Sequence, residues 1–172
     1  MSQVLPAYRA DYDRYQFYLG GMTNTNTVQL ASVRIITEDF PRLVRFYEAV
    51  TGATARWLTD DFAELVTPSA TFALSHPRRV AFISENTPRA AANNSAVVEF
   101  LVDDVDDLFT RLQAELGDDL TVVQPPTMMP WGNQSVLLRD PDGTLVNLYT
   151  PVTPQALELQ QQRQPQLLQQ RS

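Results

Sequence analysis

The sequence predicts an α+β fold made of two βαβββ modules in tandem. Two stretches of the chain each combine a short apolar strand, an acidic helix cap, an amphipathic helix and a glycine stop, in the same order and at one offset. After each helix the apolar residues change to the alternation of strands. The last two strands of each half are joined by similar turns. A pattern repeated in this way indicates a repeated supersecondary unit.

A strand and an amphipathic helix open each repeat. Apolar runs at Val33–Ile36 and Val97–Val102 predict the strands. Asp39 and Asp104 follow them, and an aspartate at this place accepts hydrogen bonds from the free N–H groups of a helix N-terminus. The helices are predicted because apolar residues recur at i, i+3, i+4 and i+7. These residues are Phe40, Leu43, Val44 and Tyr47 in the first repeat and Val105, Leu108, Phe109 and Leu112 in the second.

Glycines and turns complete each repeat. Gly52 and Gly117 are expected to end the helices, because glycine adopts the left-handed conformation at low cost. The caps and the stops are each 65 residues apart. Three strands are then predicted in each half, about Ala53–Thr59, Phe62–Thr67 and Thr71–Ser75, and about Thr121–Gln124, Ser135–Arg139 and Thr144–Tyr149. The turns TPSATFALSH and DPDGTLVNLY match at an offset of 73, which leaves eight extra residues in a loop around PPTMMPWGNQ.

The repeat divides the chain into five parts. They are an N-terminal extension (1–29), module one (30–76), a linker (77–95), module two (96–151) and a Gln-rich tail (152–172). A short strand at Val80–Ile83 is expected in the linker. The extension is too rich in aromatic residues for a free tail. The tail is either a helix that packs on a partner or a frayed end.

Composition and charge exclude several classes of protein. The chain has 172 residues, a net charge of −7 and no cysteine, so disulfides and thiolate metal sites are excluded. An acidic chain without a basic stripe is not expected to bind nucleic acid. No apolar run is long enough to span a membrane, and no secretory signal is recognised. A cytoplasmic protein with no membrane partner is the expectation.

Three segments together resemble a known superfamily. They are ITEDFPRLVRFYEAVTG, VEFLVDDVDDLFTRLQAELG and PWGNQSVLLRDPDGTLVNLYTP. In this order they resemble the glyoxalase/bleomycin resistance protein/extradiol dioxygenase, or vicinal oxygen chelate, superfamily over about residues 30–151. The resemblance implies that the modules form a curved eight-stranded mixed sheet with a concave cleft, paired within one chain or between two. Homodimers are usual among the drug-resistance members.

The resemblance also implies four metal-ligand positions. Family members often hold a divalent metal with His and Glu side chains from the first and last strands of each module. The corresponding positions in this sequence are Ser32, Leu74, Val97 and Asn147, and none is a His or a carboxylate. These side chains do not make a metal site, so the sequence is similar to the metal-free, bleomycin-resistance-like branch, without a cofactor. The single histidine, His76, is expected to be a surface or turn residue.

Strand alternation then predicts the side chains that line the cleft. The candidate ligand-binding residues are Ser32, Arg34, Trp57, Phe72, Leu74, Glu99, Met129, Trp131, Asn147 and Tyr149. Arg34 and Glu99 occupy equivalent positions in the two modules and are expected to face one another, as an ion pair, a ligand contact or a catalytic acid/base. Asp140 and Asp142, in the DPDG turn, are expected to be solvated.

Three functions remain open from the sequence. The first is a protein that binds a small aromatic or amphipathic molecule without a metal, for instance to sequester a drug in antibiotic resistance. The second is a metal-independent enzyme of isomerase or lyase type that uses Glu99 with Arg34 or Tyr149. The third is a protein that binds another macromolecule and whose cleft is vestigial. No catalytic residue is assigned.

Overall fold

The structure, a computed structural model, describes residues 30–81 and 88–163. The chain divides into two units, Met1–Leu30 and Ala31–Ser172. The predicted N-terminal extension and the end of the Gln-rich tail lie outside the described residues. The second unit contains both predicted modules. No helix within its described residues has the length and apolar character needed to cross a membrane.

The described residues form two βαβββ modules, which confirms the predicted fold class. Module one contains β1 (Ser32–Ile36), α1 (Phe40–Thr51), β2 (Arg56–Thr59), β3 (Phe62–Val66) and β4 (Thr71–Ser75). Module two contains β5 (Val97–Leu101), α2 (Val105–Leu116), β6 (Thr121–Met128), β7 (Asn133–Arg139) and β8 (Leu145–Pro151). A third helix, α3 (Pro154–Arg163), follows, and short 3-10 turns lie at Pro77–Arg79 and Gly117–Asp119.

Both main helices begin and end where the sequence predicts. The Asp39 carboxylate accepts a hydrogen bond from the backbone N–H of Arg42, and Asp104 accepts two from the first turn of α2. Gly52 ends α1 in the left-handed conformation, with φ of 67°. The predicted apolar residues of α1 are buried, and those of α2 are buried apart from Phe109, which is partly buried.

The eight strands form two four-stranded mixed sheets. The strand order is β1-β4-β3-β2 in module one and β5-β8-β7-β6 in module two. In each sheet the first and last strands of the module pair in parallel, and the other pairs are antiparallel. Within the described residues no ladder joins the two sheets, so the eight-stranded sheet implied by the resemblance is divided in the single chain.

The turn before the last strand is one residue longer in module two. Val66 pairs with Thr71 across residues 67–70, whereas Arg139 pairs with Leu145 across residues 140–144. The offset between modules is therefore 73 on the strand before the turn and 74 on the strand after it. Side chains alternate between faces, so a shift of one residue moves each side chain of the last strand to the opposite face.

One apolar core is shared by both modules. Each sheet has a helix face, which packs on α1 or α2, and an open face on its other side. The helix faces of the two sheets meet in this core, since the rings of Phe72 and Phe100 lie 5.8 Å apart and Tyr47 contacts both. The open faces consequently lie on the outside of the chain.

The DPDG turn is tied to α1 by a buried hydrogen bond. The Tyr47 hydroxyl donates to Asp140 Oδ2 over 2.9 Å, and the backbone N–H groups of Asp142 and Thr144 donate to Oδ1. The expectation that these two aspartates are solvated was wrong. Asp140 is only 4% exposed, and burial raises the pKa of Asp142 above its usual 3.8. The turn carboxylate serves as a fixed acceptor for three donors.

Two local expectations need correction. The segment around PPTMMPWGNQ is not a long loop: β6 and β7 extend through most of it and leave a short turn around Met129–Gly132. Pro125 and Pro126 are tolerated because β6 is an edge strand with irregular register. The strand expected at Val80–Ile83 does not begin there, since Val80 ends a 3-10 turn. Residues 82–87 lie outside the described part.

Candidate functional site

A cavity of about 310 Å³ lies on the open face of module two. Its floor is formed by β5, β7 and β8, and one side is formed by α3. The lining residues are Glu99, Trp131, Asn133, Asn147, Tyr149, Ala156, Leu159 and Gln160. Side chains at every second position of a strand share a face, which explains why Asn147 and Tyr149 line the cavity while Val146 and Leu148 are in the core.

A carboxylate and an amide form the polar floor of the cavity. Glu99 and Asn147 are direct neighbours on the parallel strands β5 and β8. Asn147 Nδ2 donates a hydrogen bond of 2.7 Å to Glu99 Oε1. The other amide atom, Asn147 Oδ1, is buried and has no hydrogen-bond partner among the described residues. A buried acceptor without a donor costs about 1–3 kcal/mol, so a ligand that donates to it would recover stability.

The helix α3 closes one side of the cavity. Gln160 Oε1 accepts a hydrogen bond of 3.3 Å from the Tyr149 hydroxyl, which links the helix to β8. Ala156 is 5% exposed and lies one turn earlier on the same helix face. The part of the Gln-rich tail within the described residues is therefore a helix that packs on its own chain.

The turn that carries Trp131 is attached to the beginning of α3. The carbonyl oxygen of Gly132 accepts hydrogen bonds from the backbone N–H groups of Val152 and Thr153. Gly132 has a φ of 92°, and a Cβ there would lie 2.0 Å from Thr153 Oγ1. Glycine is therefore required here for two reasons: the backbone has a positive φ, and there is no space for a Cβ. Trp131 is held at the cavity edge, where it remains 61% exposed.

The structure brings together four of the ten candidate residues, namely Glu99, Trp131, Asn147 and Tyr149. Ser32 and Arg34 lie on the open face of module one and are exposed. The Arg34 guanidinium lies 4.9 Å from the centre of the Phe62 ring. Both Arg34 and Glu99 are described, and no ion pair joins them within the chain. Since their sheets have the core between them, the expected face-to-face arrangement is not formed in one chain.

Three candidate residues are on the helix face and not in a cleft. Phe72 and Leu74 are buried against α1, and Trp57 contacts Phe40 of that helix at a ring distance of 5.0 Å. The prediction for Phe72 and Leu74 was wrong because it matched the last strands of the two modules at an offset of 73. The offset on these strands is 74, so the predicted residues lie on the opposite face of β4. The position equivalent to Asn147 is Ala73, which pairs with Arg34 as Asn147 pairs with Glu99.

One further candidate residue does not line the cavity, and four residues that do line it were not predicted from the sequence. Met129 is partly buried in the turn before Trp131 and does not line the cavity. Asn133 follows from alternation along β7 once the strand is known to begin there. Ala156, Leu159 and Gln160 lie at i, i+3 and i+4 on α3, a spacing visible in the tail, but nothing in the sequence indicates which surface they cover.

The family's metal positions do not fit a divalent cation here. With the register corrected, they are occupied by Ser32, Ala73, Val97 and Asn147, and only a hydroxyl and an amide among these have an oxygen to offer. The described residues contain no group of three or more His, Cys, Asp or Glu that could hold a metal. His76 instead caps the 3-10 turn, where Nδ1 accepts from the Arg78 N–H.

Comparison with protein families identifies the superfamily. The family model described as Glyoxalase/Bleomycin resistance protein/Dioxygenase superfamily matches residues 29–148. The chain belongs to this superfamily. No curated protein matches the sequence. The resemblance seen in the three motifs is thereby confirmed at the level of the superfamily.

Solved structures of this superfamily have the same fold. A glyoxalase/bleomycin resistance protein/dioxygenase from Nocardioides is 20% identical, with a TM-score of 0.59, covering 82% of this chain and 95% of that one. A family enzyme from Burkholderia phytofirmans PsJN is 21% identical, with a TM-score of 0.59 and coverage of 73% and 100%. A lactoylglutathione lyase from Agrobacterium tumefaciens is 22% identical, with a TM-score of 0.56 and coverage of 73% and 96%. At these identities the likeness concerns the fold.

Proposed function

We propose that this chain binds a small aromatic or amphipathic molecule in the module-two cavity, without a metal. The observation that carries the proposal is the cavity itself, which combines an aromatic edge, a polar floor and a helical side in one place. Its volume of about 310 Å³ is near the lower end of the range of about 300–1,000 Å³ for small-molecule sites. A ligand of one or two fused rings suits this size.

The chemistry of the lining supports an aromatic guest. Trp131 and Tyr149 offer ring faces on which a flat molecule can stack. Glu99, Asn147 and Gln160 offer hydrogen-bonding groups that would fix its orientation. Binding would rest on apolar burial with a few polar contacts, as is usual for such cavities. Sequestration of a toxic compound, as in antibiotic resistance, is the role we propose for such binding.

Independence from a metal rests on the donor set. Ala73 and Val97 have no donor atom, and the hydroxyl of Ser32 and the amide of Asn147 are poor ligands for a divalent ion on their own. We therefore expect ligand binding to be the same in the presence and absence of a chelator. Stoichiometric Zn, Mn or Fe in purified protein would contradict this part of the proposal.

We also propose a homodimer. The open face of each sheet carries exposed apolar side chains. Val97 and Leu101, on the edge strand β5, are two of them. The open face of module one carries Arg34, and that of module two carries Glu99. These faces lie on the outside of one chain, so only a second copy could bring an Arg34 opposite a Glu99. The ligand-binding function that we propose does not require that pairing, whereas the enzymatic alternative that uses Glu99 with Arg34 does.

Thermal unfolding with a set of flat aromatic compounds tests the proposed function. We expect at least one compound to raise the Tm by several degrees, because a ligand that binds only the folded state stabilises it. The shift should persist with EDTA and should be lost in Trp131→Ala but kept in Trp57→Phe. No response to any compound, or a response that EDTA removes, would contradict the proposal. Conversion of the bound compound to a product would instead establish an enzyme.

A further inference from the structure

We propose that the ligand of the module-two cavity carries a cationic hydrogen-bond donor, such as an amidinium or a protonated amine, on its aromatic ring. This inference rests on the proposed function of the same cavity and names the class of ligand. It is carried by the charge of the lining residues, by the unused acceptor atoms of the floor and by the position of the aromatic side chains.

The cavity holds one formal charge, and it is negative. Of the eight lining residues, Glu99 alone is of a type that carries a formal charge. Three carboxylates elsewhere in the described residues are paired with arginine: Asp61 with Arg78 and Arg79, Glu64 with Arg56, and Asp119 with Arg42 and Arg45. Glu99 has no such partner among the described residues and contacts the neutral amide of Asn147. A cation in the cavity would supply the missing partner.

Two oxygen atoms on the floor have no hydrogen-bond donor among the described residues. One N–H of Asn147 Nδ2 is engaged with Glu99 Oε1. No described side chain donates to Glu99 Oε2. Asn147 Oδ1 is buried without a partner. Two acceptors on neighbouring strands match a ligand group that presents two or more N–H bonds, as amidinium and ammonium groups do.

The aromatic residues lie where the rest of such a ligand would extend. Trp131 is at the edge of the cavity, and Tyr149 follows Asn147 on the same face of β8. The face of an indole ring attracts a cation and also stacks on a flat ring. A cationic aromatic compound therefore finds an anionic floor and an aromatic edge in one cavity.

A series of three probes on one ring skeleton tests this inference. They are 2-naphthamidine, 2-naphthamide and 2-naphthoate, which carry positive, zero and negative charge, and calorimetric titration gives their Kd values. We expect the amidine to bind at least tenfold more tightly than the amide, and the carboxylate to bind most weakly. Glu99→Gln should weaken the amidine about tenfold and leave the amide unchanged, since its amide oxygen can still accept from Asn147.

Glu115→Gln is the matched control, because Glu115 is exposed on α2, on the other side of the sheet. It removes the same charge from the chain and should leave all three Kd values unchanged. Equal binding of the amidine and the amide would overturn the cationic class and leave the proposed function intact. Preference for the amidine that persists in Glu99→Gln would overturn it too. If none of the probes binds, the proposed function fails and the inference fails with it.

Discussion

At the scale of single residues, Gly132 fixes the position of the N-terminus of α3, the helix that forms one side of the cavity. The Gly132 carbonyl oxygen accepts hydrogen bonds from Val152 and Thr153, the two residues that precede α3, and the space beside its Cα is filled by Thr153. The identity of this residue therefore affects a helix that contributes three lining residues. Gly143 offers a comparison, because it has a similar φ of 88° but open space around its Cα.

Gly132→Ala should be destabilised more than Gly143→Ala. Both variants force alanine into a positive φ, which costs about 1–3 kcal/mol, but the first also pushes on Thr153. We expect a larger loss of unfolding free energy for Gly132→Ala, measured by denaturant titration. It should also weaken ligand binding, whereas Gly143→Ala should not. Equal effects of the two substitutions would mean that α3 does not depend on this close contact.

Tyr47 connects the two modules, because its hydroxyl joins α1 of module one to the DPDG turn of module two. Burial, together with the charge and hydrogen bond of Asp140, raises the pKa of Tyr47 well above its usual 10.0. The folded state therefore favours the neutral phenol. Stability from this source is complete below pH 10 and falls as the pH rises further, because the unfolded chain ionises first.

Tyr47→Phe should lower the unfolding free energy by about 1–3 kcal/mol near neutral pH, since Asp140 Oδ2 loses its donor. The variant should also lose part of the alkaline dependence that the parent chain has above pH 10. Denaturant titrations at pH 7 and above pH 10 check both effects. A variant that matches the parent chain in its alkaline decline would show that Tyr47 is not the titrating group.

At the scale of elements, the sequence predicts the helices well and the last strands poorly. Asp39, Asp104 and Gly52 act locally, and their roles follow from neighbouring residues. Which face of β4 lines a cleft depends instead on the length of the turn before it. The four-residue and five-residue turns look alike in sequence, so Leu74 was matched to Asn147 although Ala73 is its structural equivalent.

The helix α3 marks a different limit of sequence reasoning. Its lining residues have helical spacing, but the surface that they cover is decided by packing between distant parts of the chain. The Trp131 turn could be singled out from its own residues, since a tryptophan between proline and glycine is hard to bury. The contact of this turn with Thr153 could not be predicted from the sequence, because it depends on the folded positions of both segments.

Ala156→Trp tests the role of α3 in binding. Ala156 is 5% exposed and faces the cavity, whereas Leu157 is 45% exposed. An indole at position 156 should occupy the cavity and weaken binding of 2-naphthamide at least tenfold. Leu157→Trp, which adds the same ring outside the cavity, should leave the Kd unchanged. Unimpaired binding in Ala156→Trp would place the ligand elsewhere.

At the scale of the whole molecule, the two modules share a core and leave both open faces outside. Continuous exposed sheet faces with apolar side chains are typical of surfaces that associate. The division into two sheets within one chain is therefore compatible with module pairing between chains. The sequence left this choice open, since both arrangements use the same repeats.

Light scattering after size exclusion tests the proposed dimer. We expect the mass of two chains for the parent protein and of one chain for Val97→Arg, because Val97 is 46% exposed on the open face of β5. Gln113→Arg, on the exposed side of α2, is the matched control and should remain dimeric. A parent chain that is monomeric at all concentrations would contradict the dimer and leave the module-two cavity as a site within one chain.

The central claim is that a small aromatic molecule occupies the module-two cavity, and the two tryptophans of the chain test it most directly. Protein labelled with 5-fluorotryptophan should give two fluorine NMR signals, assigned with Trp57→Phe and Trp131→Phe. On titration with 2-naphthamidine, we predict a saturable shift of the Trp131 signal at one ligand per chain and a stationary Trp57 signal. A Trp131 signal that stays in place, or equal shifts of both signals, would contradict the claim.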